Sequence, residues 1–170
     1  MLSAKLRPMF GRLLLVALSL VASSLFGCGG STKPTKPGAR LDFDAKEEVE
    51  CLETAKLKRH PPDNAPARID VAHIVVRYVG LRDAGEVTRT RGEACVRAEQ
   101  ARRRLLGGAD WNETFDKFSD SKDSTKGEFN GVSSADLEDD FAAAAFELKV
   151  NELSHVIETP HGFHVIWRSH

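Results

Sequence analysis

The chain has 170 residues, 41% of them hydrophobic and 29% charged, so we expect one domain of ordinary size with additional segments. Its 24 basic and 25 acidic residues leave a formal net charge of −1, which gives no bulk field to attract nucleic acid or an acidic membrane surface. The three cysteines, Cys28, Cys51 and Cys95, follow no metal-ligand spacing, so we expect no metal site.

The first 27 residues have the layout of a secretory signal, with basic residues up to Arg12 before an apolar run. The run covers residues 13–26, which is short for a membrane-spanning helix of about 20 apolar residues. Residues 25–28, Leu-Phe-Gly-Cys, resemble the lipobox of bacterial lipoproteins. This resemblance implies cleavage before Cys28 and lipidation of Cys28, and an uncleaved signal anchor is the alternative.

The lipobox resemblance also implies a location. Gly29 follows Cys28 where an aspartate would argue against the outer membrane, so the resemblance implies sorting to the outer membrane of a two-membrane bacterium. Acyl chains add about 0.8 kcal/mol of membrane affinity per buried methylene, so such an anchor would hold firmly. The expected location is the bacterial cell envelope, with the lipid anchor in the outer membrane and the domain facing the periplasm.

Residues 28–67 are predicted to contain the lipidated cysteine, a flexible tether and a short helix. Residues 29–40 are rich in glycine, proline, serine, threonine and lysine, which predicts an extended tether. Residues 41–59 show weak helical periodicity, and the prolines within residues 60–66 end that helix. The folded domain is therefore placed at residues 68–170.

Cys51 and Cys95 would both lie in an oxidising compartment if the chain is exported. A disulfide between them would hold the short helix against the domain. As the alternative, they are two separate thiols, with Cys95 filling an apolar position of a helix. The sequence leaves both open.

The predicted domain begins with a strand at residues 68–78, whose two faces are both apolar, as in a central strand. A capping box at Thr90 and Glu93 marks the start of a helix that ends at Gly107. Asp110 starts a second helix in the same way. The alternating strand residues are Ile69, Val71, His73 and Val75 on one face and Ala72, Ile74 and Val76 on the other.

The second half of the domain is predicted as strand, helix and hairpin. Residues 127–133 form an edge strand and residues 137–148 a short helix that carries Leu137 and Phe141 one turn apart. Residues 154–158 and 163–168 form a hairpin through a Pro-His-Gly turn. The elements predict an α+β fold, an antiparallel four-stranded sheet surrounded by short helices.

Residues 159–166, Thr-Pro-His-Gly-Phe-His-Val-Ile, resemble the terminal strand of parvulin-type (PpiC or rotamase) peptidyl-prolyl cis-trans isomerases. Residues 72–76 supply a second histidine, and residues 118–120, Phe-Ser-Asp, and 127–130, Gly-Glu-Phe-Asn, occupy further family positions. The resemblance covers residues 69–170. It implies the parvulin-like α+β fold and an enzyme that isomerises X-Pro bonds without a cofactor.

The resemblance implies a proline slot lined by Phe129, Leu137 and Phe141. Beneath the slot, His73 and His164 would lie side by side on adjacent strands and form a hydrogen-bonded chain.

Three further residues are assigned to the catalytic set by the same resemblance. Family members carry a cysteine or aspartate after the second helix, and here Asp120 is the first candidate for that position and Ser121 the second. His161 stands at the rim where some relatives have a serine.

Arg77 and Arg82 are candidate substrate-binding residues, because arginine suits bidentate contacts to carboxylate or phosphate. Relatives that act on phosphorylated Ser/Thr-Pro place basic residues at these positions. For an exported enzyme we expect an acidic residue before proline. The alternative, that both arginines are ordinary surface charges, stays open.

Together these features predict a membrane-tethered isomerase that assists the folding of exported proteins. Its partners would be proline-containing segments of exported polypeptides, it would meet the membrane through the lipid at Cys28, and it would bind no nucleic acid. Two alternatives remain on the same fold: a holdase chaperone without catalysis, and a structural envelope lipoprotein.

Overall fold

The computed structural model describes residues 45–170. The signal, Cys28 and the tether lie outside the described residues, so their assignments stay predictions. Within residues 45–170, no helix is long and apolar enough to cross a membrane. The helices are α1 (Ala45–Ala55), α2 (Arg91–Leu106), α3 (Trp111–Phe118) and α4 (Asp139–Glu147), and the strands are β1 (Ile69–Val76), β2 (Glu128–Val132), β3 (Ile157–Thr159) and β4 (Gly162–Arg168).

The four strands form one antiparallel sheet in the order β2-β1-β4-β3. This confirms the predicted α+β architecture and the central position of β1. The longest pairing joins β1 to β4, from Val71 opposite Arg168 to Val76 opposite Phe163. That register brings the two strand-borne histidines onto neighbouring strands.

The sheet is covered on both faces. One face packs against α2 and α3, and the other packs under α4. Burying one aliphatic or aromatic side chain completely stabilises the folded state by roughly 1.5–3 kcal/mol relative to leaving it exposed. The sheet residues of the first core are Ile74, Val76, Phe163 and Val165, and those of the second are Ile69, Val71, Ile157 and Ile166.

The predicted helix starts are confirmed. Thr90 Oγ1 accepts from the Glu93 backbone N–H at 3.2 Å, and Glu93 Oε2 accepts from the Thr90 N–H at 2.7 Å, so the capping box is complete. Asp110 Oδ1 caps α3 by accepting from the Glu113 N–H at 2.9 Å. These caps satisfy backbone amides that the first helical turn leaves without partners.

Helix α1 is docked on the domain. Cys51 and Cys95 form a disulfide with a Cα–Cα distance of 5.9 Å, which resolves the alternatives that the sequence left open. Both cysteines are buried in the same core as the α2 face of the sheet. The disulfide therefore fixes α1 against α2.

The predicted helix at residues 137–148 is wrong at its start. Asp136 Oδ2 accepts from the Ser133 N–H at 2.8 Å and from the Ser133 hydroxyl at 2.7 Å, which closes a separate 3-10 turn at Ser134–Asp136. Leu137 is extended, with φ −118° and ψ 159°, and Glu138 is the N-cap of α4. Leu137 and Phe141 therefore do not share one helix.

The predicted strand at residues 154–158 is also displaced, because β3 covers Ile157–Thr159. The Ser154 hydroxyl oxygen accepts from the Ile166 N–H at 2.9 Å, where a regular ladder would use a backbone carbonyl. The side chain thus interrupts the pairing. After β3, Pro160 and His161 make the turn, and Gly162 has φ +128° and no room for a Cβ beside the Val76 carbonyl.

Candidate active site

A cavity of about 270 Å³ opens on the α4 face of the sheet. The cavity lies beside the start of α4 at Asp139. At this place β1 and β4 carry His73 and His164 at inward-facing positions that elsewhere hold aliphatic residues. The lining residues include all three predicted slot residues and both histidines, His73, Phe129, Leu137, Phe141 and His164. The structure therefore brings the three predicted slot residues together with the two histidines that were predicted to lie beneath them.

The two histidines are hydrogen-bonded to each other. Their Nδ1 atoms are 3.0 Å apart, and their ring planes differ by 8°. His164 Nε2 lies 2.9 Å from Thr159 Oγ1, so Thr159, His164 and His73 form one chain. Either direction of donation along this chain satisfies every bond, because each imidazole has one donor and one acceptor nitrogen when neutral.

Both imidazoles are kept neutral by their surroundings. Burial lowers the pKa of His73 to about 4, with the charge of Arg77 acting in the same direction and Asp123 opposing it. Burial also holds the pKa of His164 well below its ordinary value, followed by repulsion from His73. A neutral pair can sit under an apolar ligand with little electrostatic cost.

Aromatic rings surround the histidine pair. Phe141 meets both rings edge-on, with centroid distances of 5.3 Å to His73 and 5.4 Å to His164. Phe129 lies 5.2 Å from His73 and is 40% exposed, so its ring is available to a ligand. Leu137 is half-buried and completes the apolar wall.

Ser121, rather than Asp120, lines the cavity. The Asp120 carboxylate accepts from the Arg77 N–H at 2.7 Å and forms an ion pair with Arg89. It is held there because two arginine-bearing segments meet at the end of β1, a long-range contact that local sequence spacing does not encode. The Ser121 hydroxyl donates to Asp123 Oδ2 at 2.6 Å.

The two candidate substrate arginines are placed differently. Arg77 lines the cavity; its Nη1 donates to the Asp120 carbonyl at 3.1 Å, and its buried Nε has no hydrogen-bond partner within residues 45–170. Arg82 is exposed in the loop after β1. The structure brings Arg77 to the site and leaves Arg82 on the loop surface.

His161 lies at the rim, as predicted for a residue beside the terminal histidine. It lines the cavity, and its Nδ1 is 2.7 Å from Asp83 Oδ2. Both side chains are largely exposed. The contact joins the hairpin turn to the loop after β1.

Sequence reasoning missed Thr159, Asp136 and Glu138, which also line the cavity. Thr159 could have been predicted from the sequence. A two-residue turn between Thr159 and Gly162 makes Thr159 a diagonal neighbour of His164 on the same face of the sheet. Glu138 and Asp136 carried no such signal, since the predicted helix start was misplaced. Among residues 45–170, no group of three or more His, Cys, Asp or Glu is arranged to hold a metal ion.

A family model described as the PPIC-type PPIASE domain matches residues 55–168. The chain is 31% identical over 141 residues to the peptidyl-prolyl cis-trans isomerase pin1 of Schizosaccharomyces pombe, a match covering 79% of this chain and 77% of that protein. It is 30% identical over 112 residues to the chaperone SurA of Dechloromonas aromatica, covering 65% of this chain and 25% of that protein.

Solved structures share the fold. Peptidyl-prolyl isomerase ESS1 from Candida albicans superposes with a TM-score of 0.55 at 22% identity, over 74% of each chain. The solution structure of TbPIN1 gives a TM-score of 0.55 at 24% identity, over 61% of this chain and 98% of that one.

Proposed function

This chain belongs to the family of PPIC-type peptidyl-prolyl cis-trans isomerases, and we propose that it isomerises X-Pro bonds in exported polypeptides at the bacterial cell envelope. The observation that carries the proposal is the cavity itself. An apolar slot of Phe129, Leu137 and Phe141 stands over a neutral His73–His164 pair, which suits a proline ring and a twisted amide.

The reaction is a rotation, with a barrier of about 18–20 kcal/mol that comes from resonance in the planar amide. The twisted amide has lost that charge-separated resonance, so an apolar slot favours it over the planar form. Phe129, Leu137 and Phe141 would hold the proline ring while the preceding carbonyl turns. No covalent bond is made or broken, and the protein supplies orientation and fixed polarity.

The histidine pair maintains the shape and polarity of the slot in this proposal. The bonds from Thr159 to His164 and from His164 to His73 fix both rings, and the lowered pKa values keep them neutral near pH 7. Rotation about an amide moves no proton, so the pair need not transfer one. We assign Ser121 and His161 to the polar rim that meets the peptide backbone.

Arg77 supports a preference for an acidic residue before proline. Its guanidinium lies at the cavity wall with a buried Nε lacking a hydrogen-bond partner within residues 45–170. A carboxylate on the residue before proline would form a charge-assisted hydrogen bond with this guanidinium. We place Arg82 at the loop surface as a weaker, longer-range contribution to the same preference.

The envelope location is supported by the disulfide between Cys51 and Cys95, because disulfides persist in oxidising compartments. The signal-like segment and the lipobox-like residues 25–28 agree with export and anchoring. Similarity to SurA, which is named a chaperone, favours one second candidate, a holdase that binds Pro-containing segments without catalysis. This chain spans only a quarter of that protein.

The test follows cis-to-trans relaxation of peptides carrying glutamate, leucine, alanine or phosphoserine before proline, with the full chain in detergent. We expect acceleration, and fastest turnover for glutamate. A folded protein that binds these peptides but accelerates none would be a holdase. A preference for phosphoserine over glutamate would instead assign Arg77 to phosphate recognition.

A further inference from the structure

Glu138 presents a carboxylate to the same cavity without a use inside the fold. It lines the cavity, and its buried Oε2 has no hydrogen-bond partner within residues 45–170. Although Glu138 is the N-cap of α4, its side chain makes no capping bond. A carboxylate oxygen buried without a partner is costly, and the part of this half-buried side chain that remains accessible is open to a ligand in the cavity.

The other carboxylate at the cavity wall is already engaged. Asp136 Oδ2 accepts two hydrogen bonds from Ser133 and lies 3.8 Å from Arg68 Nη1. These bonds lower the pKa of Asp136. Asp140, two residues after Glu138, is paired with Lys58 at 3.2 Å. Glu138 is therefore the carboxylate in this region best placed to meet a ligand.

Glu138 and Arg77 line the cavity from segments that reach opposite ends of β1. Asp136, two residues before Glu138, lies 3.8 Å from Arg68, which directly precedes β1. Arg77 follows the other end of β1, which pairs with Phe163 beside the hairpin turn. His73, in the middle of β1, contacts the slot residues Phe129 and Phe141, so the proline slot lies between these two segments.

We infer that Glu138 is a specificity-determining residue that binds a lysine or arginine on the C-terminal side of the substrate proline. The inference rests on the proposed function, in which Arg77 takes an acidic residue on the N-terminal side. A peptide whose proline occupies the slot then points its following residues toward Glu138. The preferred substrate segment is acidic, proline, basic.

The test compares peptides of sequence Glu-Pro-Yaa in which Yaa is lysine, leucine or glutamate, using the full chain in detergent. For one charge-assisted hydrogen bond at a partly exposed site, we expect kcat/KM roughly tenfold higher for lysine than for glutamate. Glu138→Gln should bring that ratio close to one, and Glu138→Lys should invert it. Asp139→Asn is the matched control, because it removes the same charge from an exposed neighbour and should keep the wild-type ratio.

The inference is overturned if the wild type shows no preference, if Glu138→Gln retains it, or if peptides of the reversed order, Lys-Pro-Glu, are preferred. Should no peptide be isomerised faster, the proposed catalytic function fails on its own. Peptide affinities from NMR titration would then decide the inference separately. A lysine preference in binding that Glu138→Gln abolishes supports it, and equal binding in both proteins overturns it.

Discussion

On both faces of the sheet, every second strand residue points inward, but one face forms a closed hydrophobic core and the other forms a cavity. On the α2 face, β1 and β4 present aliphatic and aromatic residues that a disulfide-linked helix pair seals. On the α4 face the same strands place His73 and His164 at two of these positions, and α4 begins only at Asp139. A cavity results. The α2 face therefore stabilises the domain, and the α4 face is packed less completely and forms a binding slot.

The largest expected effect sharpens the role of the α2 face. Replacing both Cys51 and Cys95 with serine removes the disulfide between residues 44 apart in sequence. From loop-closure entropy, we expect the free energy of unfolding to fall by about 4 kcal/mol. We expect chemical denaturation to show a loss of that order. Isomerase activity, assayed where the variant is folded, should persist, and its disappearance would contradict the separation of the two faces.

The next effect belongs to the cavity face and depends on pH. His73 has a pKa of about 4 in the folded protein and about 6.5 when unfolded. The unfolded chain therefore binds more protons between these values, so stability falls as pH drops from about 6.5 to 4, by roughly 3 kcal/mol. His164 acts in the same direction. Unfolding free energies that stay flat between pH 6.5 and 4.5 would contradict buried, neutral imidazoles.

A smaller effect tests the hydrogen-bonded chain beneath the slot. Thr159→Val removes the Oγ1 bonded to His164 Nε2 and leaves a buried ring nitrogen unpaired, a loss of about 1–3 kcal/mol. Ser154→Ala is the matched control, because it removes another buried hydroxyl, bonded to the Ile166 N–H. Both should lower stability, but only Thr159→Val should change kcat and the pH dependence of turnover.

The smallest effect concerns the contact between the rim and the loop. Asp83→Asn weakens the pairing with His161 Nδ1. Because both side chains are largely exposed, the expected loss of unfolding free energy is below about 1 kcal/mol. A loss of several kcal/mol, measured by denaturation at moderate salt, would show that this contact holds the cavity together.

Local sequence patterns predicted much of this domain. Strand alternation located β1, and the Thr90 and Glu93 pattern located the start of α2, because these signals act over a few residues. The family resemblance placed His73 and His164 on adjacent strands. The same locality explains the misplaced helix, since the turn closed by Ser133 and Asp136 competed with helical periodicity.

The remaining differences arise from contacts between distant segments. Asp120 forms an ion pair with Arg89, and Ser121 lines the cavity instead. The residue spacing within the loop does not determine which of the two faces the cavity. The disulfide depends on how α1 docks, and Glu138 acquires its place only when α4 meets the sheet. Such residues become visible as candidates once burial and hydrogen-bond partners are known.

The most direct test of the central claim compares the two faces in one assay. Phe141 meets both histidines edge-on, so Phe141→Ala removes the slot wall. Loss of about 1.5–3 kcal/mol of apolar contact should lower kcat/KM on a Glu-Pro peptide by roughly tenfold to a hundredfold. The variant with serine at Cys51 and Cys95 should isomerise the peptide at nearly the wild-type rate. Equal rates for the wild type and Phe141→Ala, with both proteins folded, would contradict the assignment of the active site to this cavity.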